Sequence, residues 1–127
     1  MSRVPFAQLK EESERLVTNI IEESLSDATY QEDRVESWCS NIPQAIIRNL
    51  HEFNKGFKFC ATCVITRKNS SSLHINSTCL WNPSLDGFIV VKWENATMHC
   101  IINVFAIALY HKFLIKIALI SFNNYEL

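Results

Sequence analysis

The fold is decided by residues 62–109, TCVITRKNSSSLHINSTCLWNPSLDGFIVVKWENATMHCIINVFAIAL. Much of this stretch alternates between apolar and polar residues, which is the period of a β-strand, and short runs of turn-forming residues interrupt it. The Asp-Gly pair at 86–87 is typical of a hairpin turn. With the alternating residues just before it, the stretch predicts four strands, over 57–67, 73–81, 88–93 and 98–109.

Two amphipathic helices are predicted before the strands. Residues 7–25 carry apolar side chains at steps of three and four. A second helix is expected from Asp33, which together with Glu36 matches a capping box, to Phe53. Pro43 lies inside it and cannot donate to the carbonyl four residues earlier, so we expect a kink or a loosely held first turn. The predicted class is α+β, with two N-terminal helices followed by a four-stranded antiparallel sheet in one domain.

Composition narrows the classes of partner. The 127 residues include 12 basic and 13 acidic side chains, and this near-neutral balance does not favour nucleic acid or an anionic membrane. The N-terminus becomes charged where a signal peptide would be apolar, so we expect a cytosolic chain with free thiols. In that setting the sequons at Asn69, Asn76 and Asn95 are chance matches.

Cys60 and Cys63 form a C-x-x-C motif within the first predicted strand. Residues three apart in a strand face opposite sides, and their Cα atoms lie ~10 Å apart, beyond the ~7 Å limit for a disulfide. The chain has no second C-x-x-C, and its four histidines show no ligand spacing with this one. The sequence therefore predicts neither a metal site nor a cofactor, with Cys63 in the core and Cys60 on the opposite face.

An enzyme is not expected. The chain has only two glycines and contains no nucleophile elbow, P-loop or H-E-x-x-H motif. His74 and Cys79 lie five apart in a predicted strand, so they point to opposite faces and cannot form a catalytic pair. No catalytic residue is predicted.

The second predicted strand does not sort its side chains into a polar and an apolar face. One face carries Leu73, Ile75, Ser77, Cys79 and Trp81, and the other carries His74, Asn76, Thr78 and Leu80. A strand in an ordinary half-buried sheet sorts more cleanly. Two interpretations stay open: a strand that pairs with another chain and a ligand, or an irregular strand within one subunit.

Several motifs of this region carry a family resemblance. They are TCVI at 62–65, KN at 68–69, LH at 73–74, STCLW at 77–81, DG at 86–87 and VKWENATMHCI at 91–101. In these motifs the chain resembles the C-terminal half of the Tctex-type dynein light chains, and a looser match extends back to residue 7. The family domain is accordingly assigned to residues 1–109, and residues 110–127 to an atypical apolar C-terminal extension.

The resemblance implies a strand-swapped homodimer, in which the second strand joins the sheet of the partner subunit. It also implies a non-catalytic light chain of the dynein motor complex, which binds the dynein intermediate chain and cargo or adaptor proteins by β-strand addition. The residues implied for dimer and peptide contacts are Leu73, His74, Ile75, Asn76, Ser77, Thr78, Cys79, Leu80 and Trp81, with Thr97 at the rim. Such a protein would be cytoplasmic and associated with the microtubule cytoskeleton, and the sequence leaves cytoplasmic and axonemal dynein open.

The C-terminal extension, YHKFLIKIALISFNNYEL, fits either a helix or a continued strand. Residues 101–120 are long enough to span a bilayer, but Lys112 and Lys116 each cost about 2.5–3.5 kcal/mol near its middle. A membrane is therefore not the expected partner. A membrane-associated variant and a dynein-independent peptide adaptor remain the alternative functions. We expect the extension to fold back on the sheet or helices, or to be disordered, and not to be needed for peptide binding.

Overall fold

A computed structural model describes residues 4–69, 72–109 and 118–126. Two helices are followed by antiparallel strands, which confirms the predicted α+β class. A short 3₁₀ turn at Phe6–Gln8 precedes the helices. The elements are α1 Lys10–Leu25, α2 Glu32–Phe53, β1 Phe57–Arg67, β2 His74–Trp81, β3 Gly87–Glu94, β4 Met98–Ala108 and β5 Ala118–Glu126.

The two helices bury one stripe each. The buried residues of both helices recur at steps of four, which places them along one side of the helix. They are Ser13, Val17, Ile21 and Leu25 in α1, and Trp38, Ile42, Ile46 and Leu50 in α2. These stripes pack on one face of the sheet and form the core with it.

The start of α2 differs from the prediction. The helix begins at Glu32, and its N-cap Gln31 makes no side-chain capping bond, so the predicted cap at Asp33 is wrong. Asp33 lies in the first turn instead, where a negative charge is favourable beside the positive end of the helix dipole. The helix runs without interruption through Pro43 to Phe53.

The main sheet has three strands in the order β1-β4-β3. β4 is the central strand and is buried along almost its whole length, including Ile101 and Asn103 on the face turned away from the helices. A strand that is apolar on both faces is most stable with a neighbour on each edge. This preference explains why β4 pairs with β1 in full register, from Phe57 opposite Ala108 to Arg67 opposite Met98.

The predicted four-stranded sheet is therefore wrong in one strand. β2 is not part of the main sheet but forms a separate two-stranded sheet with β5. The half-polar β2 lacks the apolar side chains that would bury it beside β1, whereas β4 has them. The strand interpretation of the extension is confirmed for residues 118–126, and residues 110–117 lie outside the described part of the chain. No helix among the described residues is long and apolar enough to cross a bilayer.

Candidate strand-addition site on β2

The side chains of β2 alternate in exposure even though they do not alternate in polarity. Ile75, Ser77 and Cys79 are half-buried and Trp81 is buried, so this face of the strand turns toward the domain. The opposite face carries His74, Asn76, Thr78 and Leu80, all exposed. Leu80 keeps 70% of its surface in solvent, the highest value among the exposed large apolar side chains described. β2 thus presents an apolar residue to water on a face that is otherwise polar.

β2 lies over the face of the main sheet that the helices leave free. The rings of Trp81 and Phe105 have centroids 6.4 Å apart, which connects the end of β2 to the central strand β4. An open groove of about 410 Å³ runs between the two layers. It is lined by Cys60, Ser77, Thr78, Cys79, Trp81, Phe105 and Ile107. Burial raises the pKa of the Cys79 thiol, which keeps this lining uncharged at neutral pH.

Two strand edges are open for pairing. In the order β1-β4-β3, the second edge of β1 carries no strand within the described residues. β2 likewise has one edge beside β5 and one edge without a strand in the part of the chain that the structure describes. Open edges present rows of main-chain donors and acceptors to which another strand can be added. β1 offers eleven residues and β2 eight.

Thr97 has a role within the domain. Its hydroxyl accepts a hydrogen bond from the main-chain N–H of Tyr30 at 2.9 Å and donates one to Asn95 Oδ1 at 3.1 Å. Asn95 Nδ2 in turn donates to the carbonyls of Leu25 and Ala28, at 3.2 and 2.9 Å. The turn between β3 and β4 therefore holds the end of α1 and the loop after it. A rim role for Thr97 stays a prediction.

The structural role of Asn95 is one that the sequence analysis did not find. Asn95 Oδ1 also accepts from the main-chain N–H groups of Thr97 and Met98, at 2.9 and 3.0 Å. Bonding to the backbone two residues on is the usual habit of asparagine in a turn, so the turn itself could have been anticipated. The contacts to α1 could not, because they join residues 67 and 70 positions apart.

The C-x-x-C motif is not a redox or metal pair, as predicted. Cys60 is exposed and faces the groove, whereas Cys63 faces the core near Cys39 and Cys100. A hydrogen bond with Cys100, together with burial, raises the pKa of Cys63, and burial first and Cys63 second raise the pKa of Cys39 to about 11. These thiols are therefore protonated at neutral pH and pack as small apolar groups. Among the described residues no group of three or more potential ligands could hold a metal ion.

An exposed charged cluster lies beside the β3–β4 turn. Lys68 Nζ lies 3.0 Å from Glu94 Oε2, and His99 Nδ1 lies 3.4 Å from the same oxygen. The hydrogen bond from Lys68, followed by its charge, lowers the pKa of Glu94. Exposed pairs of this kind contribute little to stability, so the cluster is a titration marker rather than a support of the fold.

The architecture defines a class: a small α+β domain whose second strand stands apart from its own sheet. The family model described as "Tctex-1 family" matches residues 8–107. "Dynein light chain Tctex-type 3" from Homo sapiens is 33% identical over 99 residues, covering 78% of this chain and 85% of the relative. "Dynein light chain Tctex-type" from Drosophila melanogaster is 35% identical over 106 residues, covering 78% and 96%. The protein of that name from Dictyostelium discoideum is 35% identical over 96 residues, covering 75% and 86%.

The chain belongs to the Tctex-1 family, which confirms the resemblance drawn from its motifs. Tctex-type dynein light chains are structural subunits of a motor complex and not enzymes. Function is therefore to be sought in the surfaces through which the domain pairs with other chains.

Proposed function

We propose that the chain is a non-catalytic light chain of a dynein motor complex: a homodimeric adaptor that binds the intermediate chain and cargo peptides by β-strand addition. The observation that carries the proposal is that β2 pairs with no strand of its own three-stranded sheet. The names of the family relatives supply the motor complex. Association with the microtubule cytoskeleton in the cytoplasm follows from that assignment.

The dimer is proposed from the two open edges. A second chain can place its own β2 beside the open edge of β1, because that edge offers eleven residues and β2 has eight. The addition would complete a four-stranded sheet, the number of strands that the sequence predicts, but between two chains. The mixed polarity of β2 fits such a position, since one face meets the partner and the other stays in water.

Peptide binding is proposed at the remaining edge of the exchanged β2. In strand addition, main-chain hydrogen bonds give affinity and contacts with alternate side chains give selectivity. The side chains on the exposed face, His74, Asn76, Thr78 and Leu80, are available for such contacts. The exposed Leu80 would contribute apolar contact area, and the three polar side chains would favour a peptide with hydrogen-bonding groups opposite them.

Two proline variants test both edges together. Successive residues of a strand direct their N–H groups to opposite edges, so Thr78→Pro and Cys79→Pro, made separately, each remove a donor from a different edge. One variant should dissociate to a monomer in analytical ultracentrifugation. The other should stay dimeric but bind an intermediate-chain peptide at least about tenfold more weakly, the effect of losing roughly 1.4 kcal/mol.

Thr78→Val and Cys79→Ser are the matched controls, because both keep the main-chain donor. If both proline variants dimerise and bind the peptide as these controls do, β2 is not the strand through which the protein assembles. A protein that is monomeric at all concentrations before any substitution would equally reject the proposal.

A further inference from the structure

The C-terminal strand β5 lies along β2, the strand on which the proposed function depends. The antiparallel pairing covers all of β2, from His74 opposite Glu126 to Trp81 opposite Ala118. One register shift, between Ile75 and Asn76, interrupts it. An edge of β2 that could receive a strand from outside is thus already filled by the chain itself.

A side-chain contact fixes this pairing near its middle. Thr78 lies opposite Ser121 in the register, and their hydroxyl oxygens are 2.9 Å apart. Hydroxyl pairs directly across an antiparallel ladder stabilise the pairing by roughly 0.2–1 kcal/mol each. Both side chains are exposed, so the contact lies on the outward face of the two strands.

β5 lies outside the part of the chain that the family shares. The family match ends at residue 107, and β5 begins at Ala118. The match to the Drosophila relative covers 96% of that relative, which leaves it few residues with which to form an equivalent strand. β5 is therefore an addition of this chain to a domain that relatives have without it.

One edge of a strand has one row of N–H and C=O groups and pairs with one strand at a time. We propose that β5 is an intramolecular occupant of a strand-addition edge of β2, and that this edge accepts an extended peptide only after β5 has left it. The inference rests on the proposed function, because strand addition at β2 is the mode of binding it regulates. β5 is tethered, so a free peptide competes with an effective concentration on the order of millimolar.

The test uses the full-length chain with Ser121→Pro and Phe122→Pro combined. Successive N–H groups point to opposite edges, so one of the two prolines removes a donor that faces β2. The matched control combines Ser121→Ala with Phe122→Val, which keeps both donors. The probe is a fluorescein-labelled peptide of residues 118–126, ALISFNNYE, titrated by fluorescence anisotropy.

The proline chain should bind this peptide at least about tenfold more tightly than the intact and control chains, the ratio expected when β5 occupies its edge nine-tenths of the time. Equal affinities for all three chains, or no binding to any of them, would overturn the inference. The core cluster among the described residues draws on α1, α2, β1, β3 and β4, so the proline chain should keep its helical circular dichroism.

Hydrogen exchange on the unsubstituted protein gives a second measurement that needs no variant. An excess of the unlabelled 118–126 peptide should accelerate exchange of the amides in the chain's own β5, because the peptide displaces it. Unchanged exchange at saturating peptide would contradict the inference. An intermediate-chain peptide is titrated in parallel on the three chains. If it binds none of them while the 118–126 peptide still distinguishes them, the proposed function is wrong and the occupation of the β2 edge stands.

Discussion

The side-chain amide of Asn95 donates a hydrogen bond to the carbonyl of Ala28 at 2.9 Å, across 67 positions of sequence. The contact joins the β3–β4 turn to the loop that follows α1. Leu25 Oδ atoms are not involved; its main-chain carbonyl is the second acceptor, at 3.2 Å. One side chain therefore fixes the helical layer to the end of the sheet.

Asn95→Ala should lower the free energy of unfolding by about 1–3 kcal/mol, because the carbonyls and N–H groups that it satisfies would lose their partner. Urea unfolding at fixed protein concentration measures the change. Asn49→Ala is the control, since the exposed Asn49 bonds only the Ala45 carbonyl within its own helix. Equal effects of the two substitutions would show that the Asn95 contacts are not a support of the fold.

Gly87 is required by the close approach of Phe6. A Cβ atom at position 87 would lie 2.8 Å from Phe6 Cδ2, and Phe6 is buried with only 1% of its surface exposed. Gly87→Ala should therefore cost about 1–3 kcal/mol of stability, as overpacking of a core usually does. Gly56→Ala is the control, because its nearest contact is the side chain of Asn54. In a Phe6→Leu background the cost of Gly87→Ala should shrink, and an unchanged cost would exclude the steric explanation.

The cysteines should differ in reactivity. Cys60 is exposed and Cys100 is buried, whereas the pKa of about 11 for Cys39 leaves roughly one thiolate in a thousand at pH 8. Iodoacetamide at pH 8, followed by mass spectrometry, should label Cys60 first, and Cys60→Ser should remove this fast phase. Labelling of Cys39 should accelerate as the pH approaches 11. Labelling of Cys63 at the rate of Cys60 would contradict its place in the core.

The Glu94 carboxyl should titrate below its ordinary range in the folded protein, because the hydrogen bond and charge of Lys68 favour its ionised form. A lowered folded pKa means that the pair stabilises the protein above the ordinary carboxyl pKa and loses this effect as the pH falls through the lowered value. Carbon-detected NMR titration follows the carboxyl directly. Lys68→Met should return its midpoint toward the ordinary value, whereas Lys58→Met, at an exposed position of β1, should not. Equal midpoints in the two variants would reject the assignment.

Much of the fold could be predicted from local pattern. β1 was predicted over 57–67 and is observed at Phe57–Arg67, because strict alternation ends at clear turn signals on both sides. α1 and α2 differ from prediction only near their starts. The pairing of strands was not predictable in the same way, because it depends on competition between strands that are distant in sequence. β4 obtained both neighbours through its burial on both faces, and the half-polar β2 did not compete with it.

The candidate site was predicted less completely than the fold. The unsorted side chains of β2 indicated an unusual strand, and the structure places it outside the main sheet. The partner it has within the chain, β5, could not be chosen from sequence, since residues 110–127 fit a helix and a strand almost equally well. The residues assigned to peptide contact, and Thr97 at the rim, stay predictions until binding is measured.

The pairing of β1 with β4 also has a consequence for how the chain folds. Phe57 meets Ala108, so this ladder closes a loop that contains β2 and β3. Non-local closure of this kind is slow compared with forming helices or hairpins, and we expect it to set the refolding rate. β2 lies inside the closed loop without joining the ladder. Substitutions in β2 can therefore change assembly while leaving the rate-limiting step of folding intact, which gives this strand freedom to diverge that β4 does not have.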